Sequence, residues 1–125
     1  MDDLYREAIL DHYKNPRNFG KIAHPSSSYQ LYNSACGDKI EIYLKVKGDK
    51  VISDIKFSGE GCAISLASAS MLTEKVMGKN IEEVKRLKAR DIIKMLGIQL
   101  SPTRMKCALL PLEVLEKTLV LAKKK

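Results

Sequence analysis

Cys36, Asp38, Cys62 and Cys107 are the side chains of this sequence whose types could do chemistry together. Cys36-Gly37-Asp38 sets a soft thiol two residues from a hard carboxylate, and Gly37 between them allows a tight backbone and close approach of a ligand. Cys62 follows Gly59-Glu60-Gly61 and opens a predicted helix, where free amides and the helix dipole favour an anionic sulfur. Cys107 follows Arg104 and Lys106, whose positive charge favours the same thiolate form. Thiolate is the form that binds metal or attacks sulfur. Three thiolates and a carboxylate make four donors of suitable type for tetrahedral Zn2+ or for an iron–sulfur cluster. A structural zinc site would be expected to use short Cys-x-x-Cys knuckles, and the sequence has none. The harder oxygen weakens the hold on a soft cluster, which suits a donor better than an electron carrier. Two plainer alternatives stand beside this reading: three buried, inert cysteines, and an Asp38 that bonds its own backbone in a turn.

The elements between these residues decide whether they can meet. Lys39 to Lys47 alternates, with Ile40, Ile42, Leu44 and Val46 on one face. Val51 to Ser58 places Val51, Ser53, Ile55 and Phe57 on one face, and Gly48-Asp49 between the two runs is a two-residue hairpin signal. Pairing Lys47 with Lys50 sets Ile40 against Phe57, Ile42 against Ile55, Leu44 against Ser53 and Val46 against Val51. The same ladder predicts Asp38 opposite Gly59 and Cys36 opposite Gly61, one residue from Cys62, with Cys36 and Asp38 on the apolar face. Tyr29 to Asn33 is a third, weaker strand candidate.

Helical signals surround this ribbon. Asp2 or Asp3 can cap a helix to about Lys14, with Tyr5, Ile9, His12 and Tyr13 on one side, and Asn15-Pro16 stops it. Asn18-Phe19-Gly20 reads as a turn. From Cys62 the period becomes helical, in a run of small residues that Gly78 ends. Asn80 with Glu83 resembles a capping box, and Arg90 or Asp91 to Leu96 is a short helix closed by Gly97. After Ser101-Pro102, a last helix carries Ala108, Leu112, Leu115, Leu119 and Ala122 on one stripe. Pro111 would remove the amide partner of the Cys107 carbonyl, which predicts a kink or a late helix start and an accessible Cys107 at an irregular end.

Composition bounds the function classes. At 125 residues and 45% hydrophobic, the chain reads as one domain, residues 1–125, without repeats. No apolar run is long enough to span a bilayer, and the acidic, amphipathic start is wrong for a secretory signal, so a cytoplasmic protein is expected. An odd number of widely spaced cysteines fits a reducing compartment. The net charge of +7, with Lys85, Arg86, Lys88, Arg90 and Lys94 crowded together, permits an acidic partner. No stacking platform or reader motif accompanies it, so nucleic acid is an unlikely partner, and a basic binding module with a structural metal is the weaker third reading. Gly59-Glu60-Gly61 is not a nucleotide fingerprint, because Ile64 stands where its last glycine belongs. Nothing places His12 or His24 beside a thiol for a protease dyad.

Four stretches, "LYREAILDHYKNPRNFG", "CGD", "FSGEGCAISLASASMLTE" and "RMKCALLPLEVLEKTL", together resemble the U-type iron–sulfur cluster assembly scaffold family, which includes IscU, SufU and the NifU N-terminal domain. The resemblance runs in order over nearly the whole chain. It implies a single α+β domain, a three-stranded antiparallel sheet packed by about five helices. It further implies sulfur received as a persulfide from a cysteine desulfurase, assembly of a labile [2Fe-2S] cluster from iron, and transfer to apo-proteins. Carried over by motif, the ligands are Cys36, Asp38, Cys62 and Cys107, with Zn2+ as an alternative occupant; on such a scaffold Cys107 and Cys36, which lack the glycine-rich lead-in of Cys62, are the candidate persulfide acceptors.

Three departures bear on that expectation. The residue before the last cysteine is Lys106, as in the SufU-type branch, where the IscU type has histidine. The insertion typical of the SufU type is missing, since Cys62 and Cys107 are only 45 residues apart. Leu100-Ser101-Pro102-Thr103-Arg104 keeps the Leu-Pro-Pro-Val-Lys chaperone motif only loosely, so dependence on an Hsp70-type chaperone is doubtful. A zinc-dependent sulfurtransferase of the SufU type is accordingly the alternative to the scaffold reading. His12 is expected to pack or cap.

Overall fold

The ten residues of β2, Asp38–Lys47, keep their expected alternation in the computed structural model, which describes residues 2–34, 37–48 and 50–123. Ile40, Ile42 and Leu44 are fully buried while Lys39 and Lys45 face solvent. Cys36 and Asp49 lie outside the described residues, and with them the expected Cys36–Gly61 pairing and the second hairpin residue. Two neighbours flank β2: β1, Ser27–Asn33, and β3, Val51–Glu60, giving an antiparallel sheet of order β1-β2-β3. The weak strand candidate is therefore real and starts two residues earlier than its sequence suggests.

The β2–β3 register corrects the expected one by two residues. Ile42 pairs with Phe57 and Leu44 with Ile55, where the hairpin signal alone predicts Ile55 and Ser53. Two one-residue offsets add up to it: the ladder starts at Lys47↔Val51 instead of at Lys47 and Lys50, and a bulge then passes it from Val46↔Ile52 to Lys45↔Asp54, leaving Ser53 without a place of its own. Ile52 and Ile55 are an odd number of residues apart and could not share a face of a regular strand. The bulge lets both turn inward, each fully buried, and leaves Val51 exposed. Because the shift is two and not one, the inward faces still coincide beyond the bulge. The β2–β3 ladder ends at Lys39↔Glu60, so Asp38 stands level with Gly61 instead of Gly59. Gly59 is required for a different reason, since a Cβ there would strike the Lys39 carbonyl.

Helices cover one face of the sheet. α1, Asp2–Lys14, packs on α2, Ala63–Val76, and Cys62 is the N-cap of α2. α2 is built from small residues; Ser65, Ala67, Ser68, Ala69 and Ser70 are all buried, so its backbone lies close to its neighbours. α3, Ile81–Val84, is capped by Asn80, whose side chain accepts from the Glu82 amide and not from the Glu83 amide that a capping box implies. α4, Ala89–Leu96, ends at Gly97 in the left-handed region at φ 71°. α5, Pro102–Lys123, lies against β1, β2 and α2, and its stripe of Ala108, Leu112, Leu115 and Leu119 is buried.

α5 also overturns an expectation. It runs unbroken through Pro111, and Cys107, only 1% exposed, sits within it instead of at an open end. Proline removes one amide, but the apolar contacts of Leu110, Leu112, Val114 and Leu115 on either side of it are all buried. Side-chain burial of that extent outweighs one lost hydrogen bond.

Candidate metal centre

The open end of the β2–β3 ribbon, the start of α2 and the first half of α5 converge on one point. Asp38, the first residue of β2, has no solvent exposure, and a buried carboxylate must find donors. Its Oδ1 accepts the Cys62 amide at 2.8 Å, a bond reaching 24 residues along the chain to the N-terminal end of α2. Its Oδ2 lies 3.9 Å from Cys62 Sγ.

Gly61 makes the approach feasible. A Cβ at that position would come within 2.5 Å of both Asp38 Oδ1 and Ser65 Oγ. Ser65, fully buried on the first turn of α2, donates to the Cys62 carbonyl at 3.1 Å and holds its oxygen 3.8 Å from Cys62 Sγ. From the other side, α5 brings Cys107. Ser68 Oγ donates to the Ala108 carbonyl at 2.7 Å, fixing the height of α5 against α2 one residue from that thiol.

One ligand atom each from Asp38, Cys62 and Cys107 all lie within 4.8 Å of one another. Tetrahedral zinc, with Zn–S of about 2.3 Å and Zn–O of about 2.0–2.2 Å, places neighbouring donors roughly 3.5–3.8 Å apart. The 3.9 Å Cys62–Asp38 separation already matches such an edge, and the remaining span needs only a small closure. Two soft sulfurs and one hard oxygen fit zinc or iron and disfavour magnesium or calcium. Cys62 is partly exposed and Cys107 buried, and neither is in a disulfide.

Neither histidine takes part. His12 Nδ1 bonds Ser70 Oγ at 2.7 Å, and its Nε2 lies 3.6 Å from Glu74 Oε1, two to three turns along α2 from Cys62. His12 thus packs α1 onto α2, as its motif implies. Burial holds its imidazole below the ordinary value, with Arg17 adding to the effect and Glu74 and Asp11 opposing it. His24 is exposed. Lys106 lines a hollow of about 320 Å³ with Leu31, Tyr32, Asn33, Ser34, Leu110 and Glu113, beside the Asn33 end of β1. Sequence reasoning did not single out Ser65 or Ser68; the only signal for Ser65 was its spacing of three from Cys62 on a helix.

A small α+β domain whose thiols and carboxylate gather where a ribbon end meets two helices is a metal- or sulfur-handling protein. The chain belongs to the NifU-like N-terminal domain family, whose model matches residues 4–125. It is 40% identical to the zinc-dependent sulfurtransferase SufU of Bacillus subtilis, over 94% of this chain and 90% of that protein. That alignment extends over 134 positions, more than the 125 residues of this chain, so the relative carries inserted residues that are absent here. The chain is 39% identical to the iron–sulfur cluster assembly scaffold protein IscU 1 of Archaeoglobus fulgidus, over 94% of this chain and 75% of that protein. Among solved structures, the N-terminal part of a nitrogen-fixing NifU-like protein from Brucella abortus superposes with a TM-score of 0.77 at 24% identity, covering 99% of this chain and 97% of that one, and shares the fold. Among the described residues, no helix is long and apolar enough to cross a membrane.

Proposed function

We propose that this protein is an iron–sulfur cluster assembly scaffold that accepts persulfide sulfur from a cysteine desulfurase. On this reading it assembles a labile [2Fe-2S] cluster on Cys36, Asp38, Cys62 and Cys107 and passes it to apo-proteins. The observation that carries the reading is the meeting of a buried carboxylate with two thiols from different elements. In the sulfur-transfer step, a thiolate of this chain attacks the outer sulfur of the desulfurase persulfide. The new S–S bond forms on the scaffold, and the desulfurase cysteine leaves as its thiolate. Of the two candidate acceptors, Cys36 and Cys107, Cys107 is 1% exposed, so attack there needs α5 to open. The cluster is cargo, and the mixed donor set favours its release. The reading calls for a reducing compartment such as the cytosol, because oxidation of the two neighbouring thiols would remove two ligands.

The test is anaerobic reconstitution with ferrous iron, cysteine, a desulfurase and a dithiol that reduces the persulfide sulfur to sulfide, followed by visible absorption and then by transfer to an apo-ferredoxin. Failure to hold any cluster under those conditions removes the proposal.

The 40% identity to a zinc-dependent sulfurtransferase, together with Lys106, favours a second reading. There the same four residues hold Zn2+, which when bound keeps the thiolates charged and orients them. This chain's thiolates then accept and hand on sulfur without building a cluster. Tight zinc, strong stimulation of the desulfurase and no cluster transfer would together select it over the scaffold.

A further inference from the structure

Cys62 Sγ has two oxygens close to it, Asp38 Oδ2 at 3.9 Å and Ser65 Oγ at 3.8 Å. A thiol has one proton to share between them. A thiolate needs a donor instead, and an ionised carboxylate has none to offer, whereas a serine hydroxyl does. In its resting position the Ser65 hydroxyl donates to the Cys62 carbonyl. That carbonyl also accepts the Leu66 amide at 3.2 Å, so it keeps a partner when the hydroxyl turns away. Ser65 is fully buried, which leaves its proton a short choice of acceptors. We infer that Ser65 is a positioning residue for the Cys62 sulfur, its hydroxyl turning from the Cys62 carbonyl to Sγ once Cys62 becomes a metal ligand. The O–H···S bond draws charge off the sulfur and fixes the direction in which it faces. This rests on the proposed function, since it needs Cys62 to ligate.

Cobalt(II) alone, added to the full chain, is the probe, because its sulfur-to-metal charge-transfer band reports the charge on the ligating thiolates. Loss of a hydrogen bond to sulfur raises the sulfur lone pairs in energy and moves the band to longer wavelength. Ser65→Ala should show that shift, while Ser65→Thr, which keeps the hydroxyl, should stay at the wild-type position. Ser70→Ala should also leave the band in place, because that buried serine of α2 serves His12 and Arg17 instead. An unmoved band in Ser65→Ala overturns the inference, and so does an equal shift in the Thr or Ser70 variant. If Ser65→Ala does not fold, cobalt–sulfur stretching frequencies of the wild type in heavy and light water decide. An isotope shift that Ser65→Thr preserves supports the inference, and no shift overturns it. Absence of any cobalt band in the wild type would remove the proposed function and this inference with it; a band indifferent to Ser65 removes the inference alone.

Discussion

The two oxygens of the Asp38 carboxylate have different neighbours, Oδ1 the Cys62 amide and Oδ2 the Cys62 sulfur. Asp38→Ala therefore has two consequences of opposite sign. The Cys62 amide loses its acceptor, which should lower the stability of the metal-free protein by about 1–3 kcal/mol in urea denaturation. The hard ligand that loosens the cluster is also gone, so the reconstituted cluster should decay more slowly, measured by loss of visible absorption against a chelator. Faster decay would contradict the role given to the oxygen. Gly61→Ala probes the same carboxylate without deleting it. Its methyl would meet Asp38 Oδ1 and Ser65 Oγ at 2.5 Å each, so both oxygens or the Gly61 backbone must shift. Disturbing an outer group that orients a ligand typically costs 10–100-fold in metal affinity. Zinc competition should show a loss of about that size, and unchanged affinity would mean that the crowding does not position Asp38.

At the scale of elements, α1 is held to α2 by polar contacts as well as by Ile9, and within them His12 meets Ser70 and Glu74. Arg17 reinforces the contact through its amide on Ser70 Oγ and its guanidinium on Asp11. Since the folded His12 binds its proton less readily than an unfolded histidine, the unfolded state carries more protons just below pH 6.5. The associated stability is present above pH 6.5 and is lost as the pH falls through the lower folded value. The denaturation midpoint should drop between pH 7 and pH 5, and His12→Gln should flatten that slope; an unchanged slope would assign the pH dependence to other groups. Asp11, with its own value lowered chiefly by Arg17, acts in the more acidic carboxylate range and does not overlap this window. Elements were legible in the sequence where period and punctuation agree, as in β2 and in the α4 stop at Gly97. Legibility failed where packing overrode local pattern. Ile52 and Ile55 both had burial to gain, and only a bulge could give it, a choice that no hairpin rule contains. Pro111 likewise signalled a break, which the buried apolar side chains around it prevent.

For the whole molecule, no spacing in the sequence placed Cys107 beside Asp38; that expectation came from the resemblance alone. The reason is physical: the contact depends on how α5 crosses the sheet and α2, which is a property of the assembled core. The same dependence yields the last prediction. A ligand set drawn from β2, α2 and α5 exists in the folded chain and is scattered in the unfolded one. Zinc must therefore stabilise the fold by mass action, by about 2.7 kcal/mol at a free concentration one hundred times Kd. For a chain of this size that is a rise in Tm of roughly 10 °C, less whatever zinc the unfolded thiols retain. Thermal melts with excess chelator and with zinc should differ by about that amount, and Cys107→Ser should shrink the difference strongly although it touches only α5. High salt should change little, because buried coordination is not screened as a surface charge would be. Identical melting with zinc and with chelator would show that the three groups sit together without holding a metal. Cys62 and Cys107 would then be thiols of the core and nothing more.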